Sequence, residues 1–117
     1  VEPSYRTRAV TRDPDTGVTV TEDREGYAYL IGPTATLSRY SQLDRYEITE
    51  GDPLSAVVRC DREAELAREG WDIRITTSSV MTADATHFHV TDTIEAFEAG
   101  VRVFTDTRTC TVARDLV

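Results

Sequence analysis

The sequence predicts an all-β domain: a single antiparallel β-sandwich of about seven or eight strands, jelly-roll-like. Three observations carry that expectation. Thr occurs 18 times, Val 12 and Ile 5, so 35 of the 117 residues are β-branched, and such side chains fit a pleated surface better than a helix. Several segments alternate apolar and polar residues with a period of two. Turn signals recur about every 8–12 residues, as in sandwiches and barrels. The chain reads as one domain, residues 1–117, with no internal repeat, low-complexity run or linker.

Each element follows from its pattern. Arg6, Arg8, Val10 and Arg12 alternate with Thr7, Ala9 and Thr11, which predicts a strand. Asp13-Pro14-Asp15-Thr16-Gly17 is a turn, because Pro presets φ, Asp caps its own turn and Gly permits positive φ. Val18–Thr21 returns as a hairpin, and Tyr27–Ile31 is a third strand between Gly26 and Gly32-Pro33. Thr34 to Asp44 fits either a short helical turn or an irregular loop, since Leu37, Tyr40 and Leu43 stand three apart. Tyr46–Thr49 is a short strand ending at Gly51-Asp52-Pro53, where Pro removes a donor. Ser55–Leu66 is a strand with a polar tip closed by Gly70. Trp71, Ile73, Ile75 and Thr77 alternate against Asp72, Arg74 and Thr76, the clearest strand in the chain. Thr86–Glu98 is a long strand with Phe88, Val90, Ile94 and Ala96 on its core face. Asp92 interrupts that face and predicts a bulge or a solvent-lined bend. Ala99-Gly100 turns the chain into a last strand, Val101–Val112.

Charge narrows the partners. A net charge of −8, from 21 acidic and 13 basic residues, disfavours nucleic acid and anionic membrane, which reward clustered cations. All 13 cations are Arg, and they are scattered, which reads as coding bias in a GC-rich genome rather than as a recognition cluster. No stretch approaches the ~20 apolar residues of a membrane span, and no signal peptide opens the chain, so a cytoplasmic location is favoured. The first residue is Val1, not Met, which reads as a domain cut or a trimmed chain.

Candidate chemistry is sparse. His87 and His89 point to one face of a strand and would reach one metal, as in a metal-dependent jelly-roll enzyme. The chain has no third His, Glu95 lies about 20 Å further along, and Asp92 is on the opposite face, so a solvated strand face is the stronger reading. Cys60 and Cys110 lack C-x-x-C spacing. They read as buried, inert thiols, or as a disulfide if the domain is secreted. No G-x-S-x-G elbow, P-loop or G-x-G-x-x-G occurs. The expected catalytic, cofactor and metal residues are therefore none. Trp71 with Tyr27, Tyr29, Tyr40 and Tyr46 would make a stacking platform for a sugar or peptide, although core and rim packing explains such residues equally.

The second half carries a family resemblance. Gly51-Asp52-Pro53-Leu54-Ser55-Ala56 precedes Trp71, which stands after a short acidic tip. Thr86-His87-Phe88-His89-Val90, Ile94-Glu95-Ala96-Phe97-Glu98, Val103-Phe104 and Val112-Ala113-Arg114-Asp115-Leu116 follow in order. Over roughly residues 45–117 this resembles the C-terminal, non-catalytic domain of the cocaine-esterase/X-prolyl dipeptidyl peptidase hydrolases. Residues 1–44 match it more loosely, through the Asp-Pro-Asp-Thr-Gly hairpin. The resemblance implies a jelly-roll sandwich of the galactose-binding-like type without a catalytic triad, packed on an α/β-hydrolase catalytic domain or self-associated as a homo-oligomer. Two positions depart from the family pattern: Arg108 where a strand Trp is usual, and Ala113 where a Pro is usual. The absent Trp puts the family's docking surface in doubt for this chain. The other two readings are a free-standing sugar- or peptide-binding sandwich using the Tyr/Trp face, and a metal enzyme built on His87 and His89.

Overall fold

A computed structural model describes residues 3–115; Leu116, the last residue of the family signature, lies outside them. The protein is all-β. Its strands are β1 (Tyr5–Arg12), β2 (Val18–Ile31), β3 (Thr36–Thr49), β4 (Asp52–Arg68), β5 (Trp71–Ala83), β6 (His87–Glu98) and β7 (Val101–Ala113). A short 3₁₀ turn, Gly32–Thr34, joins β2 to β3.

The seven strands form one antiparallel sheet in the order β1-β2-β3-β4-β5-β6-β7. The expected strand count holds, but the expected division into two facing sheets is absent among the described residues. The reason lies in the connections. Glu50-Gly51, Glu69-Gly70 and Ala99-Gly100 each join strands with two residues, and the other links are scarcely longer. A two-residue loop lets a strand pair only with its chain neighbour, whereas a jelly roll needs long crossings between sheets. At Ala99-Gly100 both residues have positive φ, 50° and 78°, the geometry that matches the twist of a tight hairpin.

Three other expectations change. Val18–Thr21 and Tyr27–Ile31 belong to one 14-residue strand. Of Thr34–Asp44 only Thr34 belongs to a helical turn, the end of Gly32–Thr34; from Thr36 on it is the start of β3, paired with β2 and, from Leu37, with β4, so the three-residue spacing of Leu37, Tyr40 and Leu43 carries no helical meaning. Gly26 does not break β2, because the Tyr5 ring lies over it; a Cβ built on Gly26 would stand 2.7 Å from that ring. The aromatic side chain of β1 thus covers the bare backbone of β2. The sequence-predicted bulge at Asp92 is also absent. Asp92 sits in regular register opposite Arg108, and the irregularity falls at Ala96/Phe97.

The molecule measures 54 × 30 × 25 Å. At about 3.3 Å per residue the longest strand accounts for the long axis. A flat single layer would be only about 10 Å thick, so the sheet is strongly twisted. Among the described residues only Gly26, Ala28 and Thr36 are buried. The protein has backbone ladders on every strand but no covered core.

If Tyr5 and Gly26 act as a unit, their substitutions are non-additive. Tyr5→Ala and Gly26→Ala each remove the same ring-on-backbone contact, so a double-mutant cycle in urea should give a coupling of about 0.5–1 kcal/mol. Simple additivity would show that the contact contributes nothing.

Candidate functional site

Antiparallel register divides the side chains between two faces, since partners across a ladder point the same way. One face is polar. It carries Arg–carboxylate pairs such as Arg39–Glu65 at 3.0 Å and Arg74–Glu63 at 3.5 Å. A groove over it is lined by Tyr5, Ser41, Arg59, Glu63, Ser78 and Glu95, among others. Exposed ion pairs of this kind contribute about 0–1 kcal/mol each and keep the face wet.

The other face is apolar at both ends. One end holds the row Tyr27–Tyr40–Ala64–Ile75–Ala96–Phe104. The opposite end holds Tyr46–Val58–Met81–Val90–Cys110. Among the described residues no second layer covers this face: Tyr29 is 48% exposed, Ile75 43% and Phe104 53%, while Tyr40, Val58, Met81 and Val90 are half-buried. Phe88, Val90, Ile94 and Ala96 share this face, as their alternation predicts.

Between the ends runs a polar belt. A single row crosses all seven strands: Arg8, Asp23, Asp44, Cys60, Ser79, Asp92 and Arg108. Asp23 and Asp44 face each other across β2 and β3, and each is neutralised by an arginine. Arg8 grips Asp23 with two bonds, 2.6 and 2.9 Å, the bidentate geometry that suits guanidinium and carboxylate. Arg62 donates to Asp44 at 2.7 Å. The Arg8 hydrogen bond holds the Asp23 carboxyl below its usual range, and the Asp44 bond holds the Arg62 guanidinium above its own.

Cys60 and Cys110 are both free. They stand on β4 and β7, three strand spacings or about 14 Å apart, too far for a disulfide. Burial and the neighbouring Asp44 push the Cys60 thiol up, which makes it a poor nucleophile. Cys110 departs from the expected burial: it lies exposed on the edge strand.

His87 and His89 lie on the polar face, their rings 6.4 Å apart and tilted. Their principal partner is one the sequence reading missed. Asp84, in the β5–β6 turn, accepts from the Thr86 and His87 backbone N–H groups at 2.8 and 2.7 Å and bonds His89 Nε2 at 2.8 Å. Asp two residues before Thr is the sequence mark of an Asx turn. The bond to His89, then those turn amides, holds the Asp84 carboxyl well below the usual carboxylate range. Arg114 closes the turn by donating to the Asp84 carbonyl at 2.8 Å, its guanidinium 5.0 Å from the Phe88 ring. Among the described residues no group of three His, Cys, Asp or Glu is placed to hold a metal. The arrangement is a turn lock that uses the imidazole as a structural partner.

The five aromatics do not form one platform. Tyr27 stacks on Tyr40 at 5.4 Å and on Tyr29 at 5.8 Å. Tyr46 lies six residues along β3 from Tyr40, roughly 20 Å away, and Trp71 sits near the β4–β5 turn under Arg68. No family model, no curated protein and no solved structure matches this chain. No helix of the described residues is long and apolar enough to cross a membrane.

Two measurements check this site. Asp84→Asn removes the charged acceptor, so amide exchange at Thr86 and His87 should speed up about tenfold while the β3–β4 ladder is unaffected. The wild-type turn should hold down to pH 4 and loosen below it. A carboxyl depressed by folding stabilises above its unfolded value and loses that contribution as pH falls through the folded one. Unchanged exchange in the variant would rule out the lock. Separately, iodoacetamide at neutral pH should modify Cys110 at least about tenfold faster than Cys60, with both thiols titrating in the native, non-reduced protein. Equal rates would contradict the placement of Cys60 beside Asp44.

Proposed function

We propose that this chain is a non-catalytic accessory module that works by packing its apolar face on another folded surface, in the manner of the C-terminal domain of acyl-esterase/X-prolyl dipeptidyl peptidase hydrolases. The α/β-hydrolase catalytic domain of such an enzyme is the surface we take it to cover. The observation that carries this reading is the uncovered apolar face. Full burial of a large apolar side chain is worth about 1.5–3 kcal/mol, and those on this face, such as Ile75 at 43% exposed, leave part of that unrealised. Exposed apolar side chains grouped on one face, here in two clusters either side of the polar belt, point to an interaction site in soluble proteins. The face is open over most of its breadth, with one hollow of about 540 Å³ between Ser79, Asp92, Ile94, Phe104 and Arg108, and so wide a surface suits a docked protein.

The stacked Tyr27–Tyr29–Tyr40 cluster favours a second reading, a surface on which a sugar ring stacks. It is confined to one corner of the sheet and has one polar handle nearby, Gln42, whose Oε1 accepts from Tyr40 at 3.0 Å.

The first reading predicts that the purified chain binds the dye ANS, and that Ile75→Asp on the apolar face cuts the fluorescence at least about threefold while Thr76→Asp on the polar face leaves it unchanged. The chain should also release no product from p-nitrophenyl acetate or an X-Pro-p-nitroanilide. Absence of ANS binding, or hydrolysis retained by the chain alone, would overturn it. Saturable binding of a free sugar, abolished by Tyr27→Ala, would favour the second reading.

A further inference from the structure

We propose that β7 is the seat of a two-fold dimer, pairing antiparallel with β7 of a second copy about Thr107 and joining two seven-stranded sheets into one. β1 and β7 are the two edges of the sheet, and the sequence treats them oppositely.

The hydrogen-bond phase shows which residues of each edge face outward. Arg114 N–H donates to the Thr86 carbonyl at 2.9 Å, in step with the β6–β7 register. Ladder bonds alternate along an antiparallel pair. The even residues 104–112 therefore bond to β6, and Thr105, Thr107, Thr109 and Thr111 hold their N–H and C=O groups outward. On the other edge, Asp13 N–H donates to the Val18 carbonyl at 2.9 Å. By the same rule the outward positions of β1 are Arg6, Arg8, Val10 and Arg12.

β1 is guarded against self-pairing. Any two-fold register that aligns five or more of its residues, outward groups against outward groups, sets one of its arginines opposite an arginine. Like charges directly opposite are destabilising, and charged edges are a standard protection against association.

β7 has no such guard. From Val103 to Val112 it contains no Pro, no Gly and no Lys, and its two charges, Asp106 and Arg108, are of opposite sign. Its residues are exposed throughout except Asp106, which is half-buried. Centred on Thr107, a two-fold pairing bonds Thr107 to Thr107 and Thr105 to Thr109 of the second copy. Asp106 then falls opposite Arg108 of the second copy, twice by symmetry, at the non-hydrogen-bonded sites where side chains approach most closely. Within each chain Arg108 Nε already bonds Asp106 Oδ2 at 3.0 Å, so the dimer would close a four-charge network. Phe104 falls opposite Cys110, both on the apolar face, and threonine pairs with threonine on the polar face. Moving the centre to Asp106 or Arg108 sets like charges opposite and loses the match. Charge complementarity thus selects one occupant, a second copy, and one register. The pairing uses the sheet edge only, so it stands whatever covers the apolar face.

The test is the oligomeric state of the full chain by sedimentation equilibrium, followed across a dilution series up to about 100 µM. Wild type should dimerise. Asp106→Arg should weaken the dimer about tenfold or more by setting arginines opposite one another. The double exchange Asp106→Arg with Arg108→Asp should restore it, because the charges opposed across the dimer are reversed; adding Asp92→Arg keeps opposite charges paired across β6 and β7. Thr107→Pro deletes an outward N–H without touching the β6 ladder and should also give monomer. Circular dichroism on each variant confirms that the sheet persists. A monomeric wild type, or a dimer indifferent to Asp106→Arg and Thr107→Pro, would overturn the proposal. Association indifferent to those changes but lost in Ile75→Asp would place the contact on the apolar face instead.

Discussion

Short turns govern this structure. With three of its six connections only two residues long, the chain can lay each strand only beside the one before it. The meander that results satisfies backbone hydrogen bonds almost completely within a single layer. It brings no second layer of side chains to the one it has built. Ladder bonding and core formation usually arrive together. Here they are separated, and what remains unexplained by the chain alone is the covering of one face. A single sheet gains part of its stability from cross-strand pairs at about 0.2–1 kcal/mol each, and a core normally supplies the larger share.

The polar belt gives the apolar face its character. A uniform hydrophobic surface accepts many partners and many registers. A line of Arg8, Asp23, Asp44, Cys60, Ser79, Asp92 and Arg108 across all seven strands does not. Covering a charge without a partner for it costs several kcal/mol, so a partner surface must either meet the belt with complementary groups or leave a wet seam there. Two of the aspartates are already neutralised by Arg8 and Arg62, which lowers that cost. Asp92 faces Arg108 and Ser79 across its two ladders. The belt therefore fixes how a cover can sit, while the apolar rows on either side supply the attraction.

Much of the fold was legible in the residues. Period-two alternation placed β1 and β6 within a residue and the start of β5, whose end at Ala83 lies six residues beyond the alternating stretch; Asp13–Gly17, Gly70 and Ala99-Gly100 announced their turns, the last of them placing β7. What was not legible has specific causes. Gly26 reads as a strand break because nothing local reveals that Tyr5, 21 positions earlier, covers it. The Leu37, Tyr40 and Leu43 spacing imitates a helix within a strand held by partners on both sides. The belt was invisible for a similar reason: each of its members looks like an isolated exception in its own strand, and only register aligns them. Asp92 is the clearest case, a polar residue that breaks one strand's pattern and completes a row across seven. At the histidine turn the alternation of His87 and His89 was read correctly. Asp84, which bonds both histidines, stands in the turn between β5 and β6, where no alternation marks it.

The expectation of a sandwich and the observation of one sheet are physically close. A sandwich is two sheets about 10 Å apart with their apolar faces opposed. This chain supplies one such face, with the alternation, twist and aromatic content of an inner layer. The patterning that predicts a two-layer domain reports only that a face is built for burial; it is silent on whether the burying surface lies in the same chain. Turn length decides that question, because only a crossing long enough to reach over the sheet can return a strand to its face. None of the connections here is long enough. Under the accessory-module reading the second layer comes from the surface it packs on. The face then stays apolar for the same reason that the inner strands of a sandwich do.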